Sequence, residues 1–157
     1  FQREQADGFP FHHIHAAGKS DWPHVSSELE RMGLSSPLLD VRQYIYDMAV
    51  VMAAADLVIS RAGASTLSEV TALGMPTILV PSPYVVANHQ EKNARLLESH
   101  GGAVVLTEEQ ATGEALYESA KDILQNPEKR RSMAKAMAEL GIPDATERIY
   151  NTLMALL

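Results

Sequence analysis

One stretch, residues 58–69 with the sequence VISRAGASTLSE, most constrains how this chain can fold. Its β-branched start predicts a strand, a glycine-containing turn follows, and the residues from Ala64 onward have helical spacing. In open α/β folds such a junction lies at the carboxyl edge of the sheet, where the first amides of the helix have no intrahelical partner. Amides in that position favour an anion.

Glu69 lies one turn further into the same predicted helix. That position is too deep to face a phosphate, but a carboxylate there can accept hydrogen bonds from neighbouring hydroxyls, such as those of a ribose. The small residues Ala64, Ser65 and Thr66 let an anion approach the backbone closely. The segment therefore predicts a nucleotide site, although a tight strand-to-helix connection would by itself explain the glycine turn.

The rest of the chain alternates short apolar strands with helical stretches. The predicted strands cover residues 11–15, 39–45, 57–60, 77–80 and 103–106, and the predicted helices cover 24–32, 47–55, 64–73, 88–100, 114–124, 127–140 and 145–157. Glycine follows three of these helices as a stop signal, at Gly33, Gly74 and Gly101. This order predicts an α/β fold with a Rossmann-like parallel sheet flanked by helices, followed by extra C-terminal helices.

Composition sets limits on the class of protein. With 157 residues the chain suits a single domain over residues 1–157, and its polar start without methionine suggests a piece of something longer. Acidic residues outnumber basic ones by 20 to 13, and the one basic cluster, residues 129–131, fits a solvated helix face, which argues against nucleic-acid binding. The chain has no cysteine, and no apolar run approaches the roughly 20 residues of a transmembrane helix.

A second segment, residues 81–93 (PSPYVVANHQEKN), leaves the predicted sheet at its carboxyl edge. It places Asn88, His89 and Gln90 at the start of a helix, where amides and an imidazole can bind sugar hydroxyls. An asparagine cap followed by exposed polar residues is the alternative, and taken alone the more common explanation.

A third segment, residues 44–48, offers Tyr44, Met48 and backbone groups that could hold a flat base. Core packing is the usual role of such side chains. The segment therefore supports a nucleotide site only in combination with the other two.

Two other chemistries are weakly supported. His12, His13 and His15 alternate along a predicted strand, but no carboxylate or cysteine accompanies them at ligand spacing, whereas a metal site needs about three or four ligands. Ser60 and Ser68 lack the GxSxG elbow of a serine nucleophile. We therefore expect no metal site and no nucleophilic serine.

Several motifs in order carry a family resemblance. The run SRAGASTLSEVTALGMPTILVPSPY is followed by NHQEKNA and by GIPDATERI, and HAAGK and YIYDM precede it. Together they resemble the carboxyl-terminal half of the MurG family of GT-B glycosyltransferases, over nearly the whole chain. Enzymes of that family transfer N-acetylglucosamine from UDP-N-acetylglucosamine to lipid I, which forms lipid II in peptidoglycan synthesis. The resemblance implies that this chain is the donor-binding one of two Rossmann-like domains.

The resemblance also implies where the nucleotide is held. In the family's pattern the backbone of Ile45 contacts uracil, and Tyr44 and Met48 line the base pocket. The diphosphate meets the helix that follows the glycine turn, and the substrate-binding residues there are Ala64, Ser65, Thr66, Leu67 and Ser68.

The remaining implied contacts are to sugars. Glu69 would bind the ribose hydroxyls, and Gln90 would hydrogen-bond the N-acetylglucosamine hydroxyls together with His89, a position at which the family varies. The IPDAT ending favours this family over other UDP-sugar GT-B enzymes, such as glycolipid glucosyltransferases or 2-epimerases. A non-catalytic nucleotide-binding module is the third alternative.

The chain also departs from the family's pattern. The glycine-rich loop GGSxGA and the acceptor domain, with the expected general base, have no counterpart in it. We therefore expect this fragment to be soluble and to bind donor without catalysing transfer, with no catalytic residue of its own and no cofactor. No Asp-x-Asp metal motif occurs. The full-length enzyme would bind lipid I through the missing domain and lie peripherally on the cytoplasmic face of the bacterial cell membrane.

Overall fold

The chain folds into two compact units. The structure, a computed structural model, describes residues 1–156. One unit comprises Phe1–Ala54, and the other begins at Ala55. The single domain expected over residues 1–157 stays a prediction. No helix in the described part of the chain is both long enough and apolar enough to span a bilayer.

The first unit contains two parallel strands and three helices. In chain order its elements are α1 (Gln2–Ala6), β1 (His13–Ala16), α2 (Trp22–Arg31), β2 (Leu39–Arg42) and α3 (Met48–Ala54). The register places His13 opposite Leu39 and Ala16 opposite Arg42. The connection between the two strands runs through α2, as parallel pairing requires.

The second unit contains a three-stranded parallel sheet in the order β3–β4–β5. Its elements are β3 (Val58–Ser60), α4 (Ala64–Ala72), β4 (Thr77–Leu79), α5 (His89–Ser99), β5 (Ala103–Val105), α6 (Gly113–Leu124), α7 (Pro127–Leu140) and α8 (Ala145–Met154). A short 3-10 turn, Val86–Asn88, precedes α5. All three strands therefore end at one edge, from which the segments after β3, β4 and β5 leave.

Helices α6 and α7 complete the core of the second unit. All three residues of β4 are buried, and Ile78 clusters with Ile123 of α6 and Met133 of α7. Thr77 tolerates burial because its hydroxyl donates to the carbonyl oxygen of Met75 at 2.8 Å. Strand β4 is buried and pairs with a strand on each side. It therefore positions β3 and β5 and the segments that follow them.

The predicted fold class is confirmed. Each predicted strand and helix is present, and the described ends differ from the predicted ones by at most three residues. Gly33, Gly74 and Gly101 all have positive φ angles after their helices, as a helix stop requires. Helix α1 and the 3-10 turn are not predicted by the sequence patterns, because both are too short for a period to register. The predicted helix end at Leu157 lies outside the described residues.

Helix α7 packs closely on α4, and this contact leads to a stability prediction. A methyl group on Gly141 would lie 2.5 Å from the backbone oxygen of Thr71. We expect Gly141→Ala to lower the free energy of unfolding by about 1–3 kcal/mol, because the rigid backbone must shift. Urea denaturation measures the loss. Gly113→Ala is the matched control, since a methyl group there meets open space, and its effect should stay within about 0.5 kcal/mol. Equal effects of the two variants would contradict the packing argument.

Candidate functional site

The β3–α4 junction has an open helix start. Gly63 is the N-cap in an extended conformation, and no described side chain caps the helix. The first helical hydrogen bond runs from the Leu67 amide to the Gly63 carbonyl, at 2.9 Å. The amides of Ala64, Ser65 and Thr66 precede it and have no helical acceptor. They form a set of donors, supported by the helix dipole, that suits an anionic group.

The next turn of α4 contains one buried residue and two exposed residues. The Leu67 side chain is buried in the core, and its part in substrate binding stays a prediction. Ser68 is exposed, and its hydroxyl donates back to the Ala64 carbonyl at 3.0 Å. Glu69 is exposed too, and within residues 1–156 its carboxylate has no hydrogen-bond or ion-pair partner. Both oxygens of Glu69 can therefore accept hydrogen bonds from a pair of hydroxyls.

Gln90 is held in a defined orientation. Its side-chain oxygen accepts a hydrogen bond of 2.9 Å from the Ser82 amide, and the residue is half-buried. Since the oxygen is engaged, the amide NH₂ group is the part that can donate to a ligand. The neighbouring His89 is exposed, with its Nδ1 atom 2.9 Å from the Val86 carbonyl. In the tautomer that donates to this carbonyl, Nε2 is an acceptor.

The turn ahead of Gln90 has an unusual backbone. Ala87 and Asn88 both adopt left-handed conformations, with φ angles of 54° and 50°. Asn88 is the N-cap residue of α5, but its side chain makes no capping hydrogen bond and instead donates to the Glu91 carboxylate at 2.6 Å. The alternative of an asparagine cap is therefore correct in the position of Asn88, but the side chain does not form the capping hydrogen bond. Left-handed alanine costs on the order of 1 kcal/mol, so the surrounding contacts must hold this turn in place.

The first unit carries the predicted base-binding residues. Ile45 is buried, while Tyr44 on one side of it is 61% exposed and Met48 is 43% exposed. The rings of Tyr44 and Tyr46 meet edge to face, with centroids 4.9 Å apart. The buried isoleucine anchors the segment, which leaves an aromatic ring, a thioether and backbone groups accessible. Such a surface suits a flat, apolar-faced ligand.

An ion pair at the edge of the second unit was missed by the sequence analysis. The Arg61 guanidinium binds both carboxylate oxygens of Glu108, with Nη2 to Oε1 at 3.2 Å, and Nη1 also donates to the Val80 carbonyl at 3.3 Å. The hydrogen bond from Arg61 is the main reason that the pKa of Glu108 is lowered. The two residues are 47 positions apart, so no local pattern in the sequence could indicate the pair.

The two histidines of β1, His13 and His15, contact neighbouring side chains of the first unit. Nδ1 of His13 lies 2.8 Å from Oε1 of Glu4, and the His13 and His15 rings meet edge to face with centroids 5.9 Å apart. Across residues 1–156 no three histidine or carboxylate side chains come together as metal ligands. Burial lowers the pKa of His15, and the positive charge of His13 and of the chain amino terminus lowers it further, against the opposing charge of Glu4.

The lowered pKa of His15 predicts a pH dependence. The ordinary histidine pKa is 6.5, so in the unfolded chain His15 takes up its proton at a higher pH than in the folded chain. The His15 contribution to stability is therefore lost as pH falls from 6.5 through the folded-state pKa. We expect the NMR titration midpoint of the His15 ring to lie below 6.5. A midpoint at or above that value would show that burial of the ring has no effect on its charge.

The chain is similar to known proteins in both sequence and structure. The model of the glycosyltransferase family 28 C-terminal domain matches residues 2–149. Several curated relatives are named UDP-N-acetylglucosamine--N-acetylmuramyl-(pentapeptide) pyrophosphoryl-undecaprenol N-acetylglucosamine transferase. The one from Acetivibrio thermocellus is 48% identical over 140 residues, which is 89% of this chain and 37% of the relative. The one from Bacillus subtilis is 39% identical over 140 residues, which is 89% of this chain and 38% of the relative.

Solved structures agree with the family match. The crystal structure of Acinetobacter baumannii MurG matches with a TM-score of 0.77 and 29% identity, over 90% of this chain and 42% of that chain. The forosaminyltransferase SpnP matches with a TM-score of 0.58 at 17% identity, over 77% of this chain and 32% of that chain, which shows the fold alone. The chain thus spans less than half the length of these relatives.

Proposed function

This chain belongs to the glycosyltransferase family 28 C-terminal domain family, and from that premise we propose that it binds the donor UDP-N-acetylglucosamine in an inverting transferase that converts lipid I to lipid II. The names of the curated relatives, which specify an N-acetylglucosamine transferase, support this choice of sugar and acceptor. The observation that carries the proposal is the uncapped start of α4, with the unpartnered Glu69 carboxylate one turn further along.

In the second unit, helix α4 is proposed to bind the diphosphate and the ribose of the nucleotide. The free amides of Ala64, Ser65 and Thr66 donate to the diphosphate, and the helix dipole adds to the attraction. Glu69 accepts hydrogen bonds from the two ribose hydroxyls. For uracil we propose, in the first unit, the Ile45 backbone together with the exposed Tyr44 and Met48 side chains.

The sugar is proposed to be recognised from the segment after β4. With its oxygen engaged by Ser82, the Gln90 amide donates to an N-acetylglucosamine hydroxyl. His89 offers a second polar group to the sugar hydroxyls. Both residues begin α5, so a rigid helix fixes their spacing.

In the proposed reaction, the muramyl 4-hydroxyl of lipid I attacks the anomeric carbon, and the bond from that carbon to the UDP oxygen breaks with inversion. Negative charge grows on the departing diphosphate as this bond lengthens. The amide dipoles at the start of α4 stabilise that charge. Because the helix already holds them in place, no free energy is needed to reorient them during the reaction. We assign the base that removes the hydroxyl proton to a part of the full-length protein outside this chain.

The proposed partners follow from this reaction. Lipid I would be held by a part of the full-length protein outside this chain, and the full-length protein would lie peripherally at the cytoplasmic face of the cell membrane. The relatives' printed names, which specify an undecaprenol-linked acceptor, support a membrane-borne substrate.

Calorimetric titration of the folded chain with UDP-N-acetylglucosamine, UDP and UMP tests the nucleotide assignment. We expect Glu69→Ala to weaken UDP binding by about 10- to 100-fold, because two hydrogen bonds to a charged group are lost. UMP should bind more weakly than UDP, since it leaves some α4 amides unpaired. Glu128→Ala, which removes an exposed carboxylate from α7, is the control and should leave affinity unchanged. Absence of binding, or binding that is indifferent to Glu69→Ala, would contradict the assignment.

A second variant separates sugar recognition from nucleotide recognition. We expect Gln90→Ala to weaken UDP-N-acetylglucosamine binding by about five-fold while UDP binding stays unchanged, because one hydrogen bond to the sugar is lost. Gln110→Ala is a closely matched control, since the Gln110 side-chain oxygen likewise accepts from a backbone amide, that of Thr107 at 3.0 Å. Equal losses for both ligands would place Gln90 outside the sugar subsite. Equal affinity of the unaltered chain for UDP and for the sugar nucleotide would favour a nucleotide-binding module without sugar preference.

A further inference from the structure

The Arg61–Glu108 ion pair joins the ends of all three strands of the second unit. Arg61 directly follows β3, Val80 directly follows β4, and Glu108 lies three residues after β5. One guanidinium group contacts the other two residues, through the Glu108 carboxylate and the Val80 carbonyl. The side chain therefore crosses the end of the central strand β4, where the segment that leads to Gln90 begins.

This segment, residues 81–90, is held at both of its ends. At its root the Val80 carbonyl accepts from Arg61 at 3.3 Å, and two residues later the Ser82 amide donates to Gln90 at 2.9 Å. The hydrogen bond to Glu108 is the main cause of the raised pKa of Arg61; burial opposes it, and the charge of Glu108 and the nearby Tyr84 phenol add to it. The contacts of Arg61 thus hold the root of the segment, and the Ser82–Gln90 hydrogen bond ties the segment to the start of α5.

The energetics favour a positioning role over a stabilising one. The Arg61 and Glu108 side chains are 53% and 42% exposed, and ion pairs at that exposure add little to global stability. A guanidinium that binds both oxygens of a carboxylate is nevertheless held in a defined direction, because two parallel hydrogen bonds fix the plane of the pair. The pair can thus orient a local segment without contributing much to the fold.

We infer that Glu108 is a positioning residue, which holds Arg61 across the end of β4 and thereby fixes residues 81–90, so that Gln90 presents its amide to the sugar of the donor. The part of this inference that concerns the sugar rests on the proposed function. The part that concerns the segment does not, because it rests only on contacts among this chain's own residues, Arg61, Glu108 and Val80.

Hydrogen–deuterium exchange on the full 157-residue chain tests the segment directly. We expect Glu108→Gln to raise the exchange rates of amides in residues 80–90, including that of Ser82, by about five-fold. The matched control is Glu109→Gln, which removes the same charge from the adjacent exposed residue but leaves the ion pair intact. Added salt should raise exchange of the segment in the unaltered chain and have little effect in Glu108→Gln, since salt screens an exposed pair.

Titration of the same variants tests the sugar part of the inference. We expect Glu108→Gln to reduce the preference for UDP-N-acetylglucosamine over UDP by about three-fold. The ratio of the two affinities is the readout, because both ligands carry the diphosphate and the unpaired Arg61 cation would attract either one. Unchanged exchange in Glu108→Gln, or an equal rise in Glu109→Gln, would overturn the inference, as would unchanged preference in a chain that binds both ligands. If the unaltered chain binds neither ligand, the proposed function fails, and the exchange data still decide whether Glu108 positions the segment.

Discussion

The burial of β4 is the constraint on which the second unit depends. Its three residues are buried, and parallel partners flank it on both sides, so its end is fixed in space. Because all three strands run in the same direction, the segments that carry Arg61, Gln90 and Glu108 all leave from one edge. The α6 and α7 side chains that pack on Ile78 make this edge rigid. A rigid scaffold with polar segments at its end is the arrangement that ligand binding requires.

Unfavourable local features gather at the same edge. Helix α4 starts without a side-chain cap, and the Ser60 hydroxyl is buried with no hydrogen-bond partner among the described residues. Ala87 and Asn88 occupy left-handed backbone conformations. By contrast, α6 and α7, which face the core, have caps from Thr112 and Asn126. Such local costs are common at functional sites, where geometry is selected for binding rather than for stability. They are not confined to this edge, because Phe9 in the first unit also has a positive φ angle and Oε2 of Glu4 is also buried without a partner among the described residues.

The sequence predicted the elements well because their signals are local. Alternating apolar strands and helical spacing fixed the order, and glycine stops marked the ends of α2, α4 and α5. The open start of α4 was also predictable, since it follows from a glycine turn and small residues. Contacts between distant residues were not predictable. The Arg61–Glu108 pair and the Ser82–Gln90 bond depend on which strand ends lie side by side, and the left-handed Ala87 has no residue-type signal.

The pairing of Arg61 with Glu108 affects how the proposed site would bind the diphosphate and later release UDP. Arg61 is bound by Glu108, so the diphosphate would meet the amide dipoles of α4 rather than an unpaired Arg61 cation. Stabilisation by dipoles grows with the charge on the ligand, and the diphosphate gains charge only as the sugar bond breaks. In the proposed reaction the site would therefore interact more strongly with the departing diphosphate than with the intact donor, which would lower the barrier. Because a group of neutral amides attracts an anion less than a fixed cation would, the same site can still release UDP after transfer.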